Sequence, residues 1–429
     1  MSPEQRKKLF VFILILLSFL FLLTFFSENS AGDERKYYTY DGVVNQINVW
    51  ALEHGDIVKV SNLSEIYNVE NTYQGRNLWV VRVSDENNAG ENGEKESQVL
   101  FLGGFEGRNW LSVEISMDLL RTLVENYEKD ERIRSLIENN EIYVVPVVNP
   151  DGFQYSREHD NASNEGEGGW VKNRNATKDF GVYGVNINRN FDILWRNDLE
   201  SGINDTSGTP SDFSYAGESP ESEYETKALI ELIKDKNFSF VILFDEKGRR
   251  VMTIPFAKDK APFAKDSTHL QNSTDEETLN MLADYLASFL NYTVVEENPY
   301  YISGDFLDWC YAEHKLLSLK IAVGDSFIPA ESDISNITAN YTEMCLNAVE
   351  LSYYFKNLSY INSMENEEDW RVFSSQKVWS HILEEETSYD GKGYWGVEGF
   401  ENHATGSLET ESFINLEGLK NPKLSFFQR

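Results

Sequence analysis

The sequence predicts an α/β domain followed by a short β-rich segment, and three observations carry that reading. First, the apolar run 99–102 ends in a Gly-rich turn, Gly103-Gly104-Phe105-Glu106-Gly107-Arg108-Asn109-Trp110, and a helical pattern occupies 111–127. A turn of that kind, between the carboxyl end of a buried strand and a helix, is where open α/β sheets place their chemistry. Second, apolar, β-branched runs recur at 142–148, 238–244 and 316–323, alternating with helical patterns at 225–234 and 342–355. Third, residues 370–429 change character. There Trp370, Phe373, Trp379 and Trp395 stand among polar residues and Gly-rich turns, and 407–416 and 424–427 read as strands of an incomplete β-sandwich.

Composition bounds the function. With 429 residues, 41% hydrophobic and 13% aromatic, the chain can pack one large domain and a smaller unit. A formal net charge of -33 argues against nucleic acid as a partner, because phosphates would be repelled. Cys310 and Cys345 are the only cysteines, so no thiolate-rich metal site can form, and they read either as one disulfide or as two buried thiols. The six histidines are scattered, without the i, i+4 pairing of a helical zinc motif.

Taken in order, residues 1–33 carry Arg6, Lys7 and Lys8 and then the uncharged, apolar stretch 9–26. Its length approaches the roughly 20 residues that span a bilayer, which favours an uncleaved membrane anchor over a cleaved secretory signal. The basic flank predicts a cytoplasmic N-terminus and an exported body. Ten Asn-x-Ser/Thr sequons, among them Asn62, Asn175, Asn237, Asn291 and Asn336, agree with export. A helical pattern at 40–54 precedes two strands, the second ending near Ser84, and the Gly- and Asn-rich stretch 85–97 reads as a hairpin loop. The main domain is expected over 34–356, with a polar linker at 357–369 and the β-rich segment at 370–429.

Several turns are specific enough to name a family. The Gly103–Trp110 turn, Asn149-Pro150-Asp151-Gly152-Phe153, Gly184-Val185-Asn186-Ile187-Asn188-Arg189-Asn190-Phe191, and Tyr215-Ala216-Gly217-Glu218-Ser219-Pro220 with Ser222-Glu223-Tyr224-Glu225-Thr226 occur in that order. Together they resemble the zinc carboxypeptidases of the M14 type over about 37–356. The resemblance implies a mixed central sheet with helices on both faces, and an exopeptidase site at the carboxyl ends of its strands.

The same resemblance implies that the chemistry is altered. The family holds zinc with three ligands and keeps a fourth position for a water. Here Glu106, Asn109 and Glu246 fall on the three ligand positions, and Asn186 falls where an Asp orients a zinc-bound histidine. Ala322 occupies the place of the general base and Val171 that of the oxyanion-stabilising Arg. The substrate-gripping half is kept: Arg108, Asn188 and Arg189 correspond to residues that hold the terminal carboxylate. Tyr300 corresponds to the capping tyrosine (Tyr301 is the rival by one place), and Leu307 to the residue that reads the terminal side chain.

If, as the resemblance implies, Glu106 and Glu246 converge in one cleft, the two carboxylates require a counter-charge. Lys320, on the same strand face as Ala322, can supply it. Calcium or magnesium would suit an all-oxygen set, zinc only weakly, and solvated loop carboxylates are the bland alternative. Asn188-Arg189 has a bland alternative too, a structural ion pair with Glu223 or Glu225. Three functions follow: an exported, inactive carboxypeptidase-like protein that binds peptide or protein C-termini, an active metallocarboxypeptidase with unusual ligands, or a structural cell-surface module whose 370–429 segment meets a partner protein.

Overall fold

The computed structural model describes residues 36–85, 96–159, 169–196, 206–253, 273–295 and 303–357. The predicted anchor at 1–33, the β-rich segment 370–429 and Tyr300 lie outside the described residues. Among those described, no helix is long and apolar enough to cross a membrane.

Eight strands form one mixed sheet: β1 (Val58–Asn62), β2 (Trp79–Val83), β3 (Ser97–Leu102), β4 (Asn140–Val145), β5 (Phe238–Phe244), β6 (Arg250–Thr253), β7 (Thr293–Val295) and β8 (Leu317–Ala322). Their spatial order is β1-β2-β4-β3-β5-β8-β6-β7. The inner four, β4-β3-β5-β8, are parallel, while β1, β2 and β6 add antiparallel pairings around them. Consecutive residues of β3, β5 and β8 point to opposite faces, and nearly all are buried, so helices must cover both sides.

The helices are α1 (Tyr40–Glu53), α2 (Leu63–Tyr67), α3 (Trp110–Asn126), α4 (Glu131–Asn139), α5 (Pro150–His159), α6 (Tyr224–Asp235), α7 (Ser273–Leu290), α8 (Phe306–His314) and α9 (Ile334–Asn357). From β3 the chain crosses through α3 and α4 to β4 on one side, whereas β5 lies on the other side of β3. That reversal opens a crevice at the carboxyl ends of β3 and β5, the position where α/β sheets bind ligands.

Three expectations are corrected or resolved. The stretch 85–97 does not close a hairpin: β4 lies between β2 and β3, pairing antiparallel with the first and parallel with the second. Loop composition marks a turn but carries no information on which strand is inserted later. Helix α9 begins at Ile334, eight residues before the pattern at 342–355. Its first turns are rich in Ser, Asn and Thr, which lower helix propensity, yet Ile334, Thr338, Tyr341 and Cys345 form a buried stripe at helical spacing. Cys310 and Cys345 are free, buried thiols, and burial pushes both above the usual thiol range.

Candidate active-site crevice

The crevice is built from turns that are fastened to one another through their backbones. Gly104, at φ +62°, lets the chain leave β3 in the left-handed region, and its N–H donates to Ser112 Oγ. Gly107 packs so tightly that a Cβ would come within 2.5 Å of the Gly152 carbonyl oxygen and 2.7 Å of that of Trp170. Its N–H donates to the Val171 carbonyl (3.1 Å), which also accepts from Asn149 Nδ2 at 3.2 Å. Asn149 Nδ2 reaches the Phe105 carbonyl as well, and its Oδ1 accepts from Gly152 N–H. The turns after β3 and β4 are therefore held in register by amides, independently of any metal.

At the three positions where the resemblance expects zinc ligands, each side chain is committed elsewhere. Glu106 is ion-paired with Arg108 (Nε–Oε2 2.8 Å), whose guanidinium lies over the Phe327 ring, 4.3 Å from its centre. Asn109 caps helix α3, accepting from Ser112 N–H and donating to the Glu246 carbonyl oxygen at 3.3 Å. Glu246 adopts φ +59° two residues past β5, and its carboxylate meets Lys320 Nζ at 3.4 Å. Lys320 first, against the effect of burial, and then Arg189 hold the Glu246 carboxyl below its usual range.

Lys320 is a lysine in the middle of a central strand, only 2% exposed. Its ammonium also touches Asp305 Oδ2 at 3.2 Å. Burial opposes its charge, but Asp305, then Glu246 and Asp245, outweigh that and keep it protonated above the ordinary lysine range. Asp305 is the N-cap of α8 and accepts from the Leu307 and Asp308 N–H groups. Asp245 is buried at the end of β5, and its Oδ1 has no hydrogen-bond partner. Burial, then the Glu106 charge, push the Asp245 carboxyl well above the usual range.

Of the residues that the resemblance aligns with a carboxylate grip, Asn188, Arg189 and Leu307 are brought to the same end of the sheet. Asn188 donates from Nδ2 to Asp305 Oδ2 (2.9 Å) and accepts the Phe306 N–H, so it ties the 187–189 turn to the start of α8. Arg189 donates from Nη1 to the Asn188 carbonyl, and its charge reaches Glu246 and Lys320. Leu307 is buried in the first turn of α8. Val171 and Ala322 are buried and apolar. Asn186 accepts the Asn188 N–H and donates to the Phe213 carbonyl. Glu223 accepts from Asn173, Asn175 and Ser222, while Glu225 accepts from Asn173.

Sequence reasoning foresaw the Lys320–Glu246 pair but not its other partners. Glu106 takes Arg108 rather than Lys320, and Asp305 is the second counter-ion of the lysine. An Asp immediately before the apolar 306–311 helix start was the available signal for Asp305. The position of Asp245 at a strand's carboxyl end was the signal for that residue.

These residues do not fit zinc. The donor set is two carboxylates already paired with Arg108 and Lys320 and an amide that caps α3, without a His or Cys, and a buried ammonium stands among them. Among the described residues, no group of three or more His, Cys, Asp and Glu side chains is placed to hold a metal ion.

A sequence model of the family described as zinc carboxypeptidase matches residues 57–344. The chain belongs to the zinc carboxypeptidase family. Carboxypeptidase B of Rattus norvegicus is 28% identical over 235 residues, 54% of this chain and 50% of that protein. Carboxypeptidase B of Homo sapiens is 26% identical over 292 residues, 67% of this chain and 64% of the relative. A zinc carboxypeptidase of Saccharothrix mutabilis subsp. capreolus is 30% identical over 159 residues, 37% of this chain and 33% of its own. The chain spans about half the length of the curated relatives it matches.

Solved structures agree on the fold. Thrombin activatable fibrinolysis inhibitor superposes with TM-score 0.62 at 20% identity, covering 74% of this chain and 75% of that one. Carboxypeptidase A from Helicoverpa armigera gives TM-score 0.58 at 17% identity, covering 80% and 81%. This zinc-carboxypeptidase fold thus carries a centre whose side chains are paired among themselves.

Proposed function

We propose that this family member does not hydrolyse peptides and instead binds a ligand ending in a carboxylate, such as a peptide or protein C-terminus. The observation that carries the reading is the pair Val171 and Ala322, both buried and apolar at the positions the family uses for transition-state stabilisation and proton transfer. Neither side chain can donate a hydrogen bond to an oxyanion or accept a proton from water, and each such function normally contributes several kcal/mol. Arg189 supports the binding half. A guanidinium on a turn pinned by Asn188 can present two parallel N–H groups to a carboxylate. The apolar stretch 9–26 behind Arg6, Lys7 and Lys8 supports an anchored protein whose body faces outward.

Titrating the purified protein with N-acyl amino acids tests the binding half. The expected outcome is saturable binding that weakens at least tenfold in Arg189→Ala, about 1.4 kcal/mol or more. Absence of binding, or equal binding by wild type and variant, removes carboxylate capture.

A second reading, an active metallocarboxypeptidase with non-standard ligands, is favoured by Asp245, a fully buried carboxyl with one oxygen lacking a hydrogen-bond partner. Metal content separates the two. One equivalent of zinc in protein that cleaves a blocked dipeptide establishes the second and ends the first.

A further inference from the structure

A lysine in the interior of a central strand is costly, since an ammonium removed from water loses several kcal/mol of hydration unless opposite charges surround it. In β8 the neighbours of Lys320 in sequence, Leu319 and Ile321, are fully buried apolar residues. What surrounds its ammonium is acidic. Asp305 comes from the N-cap of α8 and Glu246 from the turn after β5, at 3.2 and 3.4 Å, and the buried Asp245, just past β5, stands near them. Two carboxylates from separate elements thus contact one buried cation. Through Asp305 the cation is linked to Asn188, and through the Glu246 carbonyl to Asn109 and to Val323 N–H. These are the turns that line the crevice.

We propose that Lys320 is the resident cation of the crevice: its ammonium supplies the positive charge that gathers Glu246 and Asp305, and it excludes a divalent ion from them. Two observations point the same way. Asp245 Oδ1 is buried without a hydrogen-bond partner, so the cluster has an oxygen left over for which its own side chains provide no donor. Asn109, which stands beside Glu246, uses its side chain to cap α3 and to hold the Glu246 backbone rather than to face a cation. A divalent ion entering here would meet the like charge of Lys320 a few ångströms away, with the Arg189 charge close behind. Removing the lysine charge would leave Glu246 and Asp305 uncompensated close to the buried Asp245, an all-oxygen set suited to a hard cation. This inference shares with the proposed function only the premise that the crevice is not a zinc centre. It does not depend on a carboxylate ligand, and a failed N-acyl amino acid titration leaves it standing.

The test uses the full chain, with calcium, magnesium or zinc alone as the probe and thermal unfolding as the readout. Wild type is expected to unfold at the same temperature in chelator and in millimolar metal. Lys320→Met is expected to be less stable in chelator and to recover with calcium or magnesium, saturably, with at least tenfold higher metal affinity than wild type. Lys320→Arg, which keeps the charge, is expected to remain insensitive to metal. Saturable divalent-ion binding to wild type would overturn the proposal, as would a folded Lys320→Met with no gain in metal affinity. Should Lys320→Met not fold, Lys320→Met combined with Asp305→Asn replaces it. Removing an acid together with the lysine restores folding if charge compensation is the role, and a double variant that also fails to fold overturns it.

Discussion

Two regions at the same end of the sheet solve the problem of buried polarity differently. Around the turn after β4, directional donors saturate their acceptors. Asp151, fully buried, takes Thr72 Oγ1 at 2.9 Å, Gln74 N–H at 2.8 Å and Arg76 Nη1 at 2.8 Å, and Asn149 uses both ends of its amide. On the crevice floor the contacts are longer and mostly charge to charge: Lys320 sits 3.2 and 3.4 Å from its acids, and one Asp245 oxygen has no donor. The first region fixes where the backbone goes. The second sets only a charge balance, which other residue types can satisfy. Under the proposed function, the contrast accounts for turns that persist around a centre whose side chains differ.

Gly107→Ala should disturb the first region most. The added Cβ meets the backbones of Gly152 and Trp170, which cannot move without opening both turns. The expected loss is about 4 kcal/mol or more, read as insoluble protein or a large fall in the unfolding midpoint. Asp151→Asn comes next, at about 3 kcal/mol in denaturant titration, because Arg76 loses its counter-charge and two donors lose an ionised acceptor.

Glu225→Gln sharpens the comparison through pH. Burial, then the Glu223 charge, raise the Glu225 carboxyl to about 8, so the folded protein keeps this proton where the unfolded chain has released it. Stability from this group is complete at and below the ordinary carboxylate range and is lost as pH rises from there towards 8. Glu225→Gln should therefore match wild type near pH 4.5 and become the more stable protein near pH 8, by on the order of a few kcal/mol. Equal unfolding midpoints at pH 8 would show that the carboxyl is not held protonated. Glu106→Gln should have the smallest effect, about 1–2 kcal/mol, because the amide oxygen still accepts a hydrogen bond from Arg108 and only the charge of this partly buried pair is lost.

Much of the fold was legible because buried parallel strands write themselves as continuous apolar runs. The expected strand at 238–244 coincides with β5, and the expected helices at 111–127 and 225–234 fall within a residue of α3 and α6. The insertion of β4 between β2 and β3 was not legible, since pairing order depends on where a crossover lands rather than on either strand's composition. At the crevice, strand periodicity placed Lys320 on the face it shares with Ala322, and one of its acids was anticipated. The other, Asp305, arrives from a helix N-cap close in space, and Glu106 turns to Arg108, two residues along its own loop. Ion-pair choice of this kind is fixed by loop geometry, which residue spacing does not encode.

The central claim is that the zinc-carboxypeptidase fold is retained here without its hydrolytic centre. The most direct measurement is turnover of a blocked dipeptide by the purified wild-type protein supplied with zinc. The account predicts no release of the C-terminal amino acid above the rate in buffer. Zinc-dependent turnover that disappears in Glu246→Gln would contradict it.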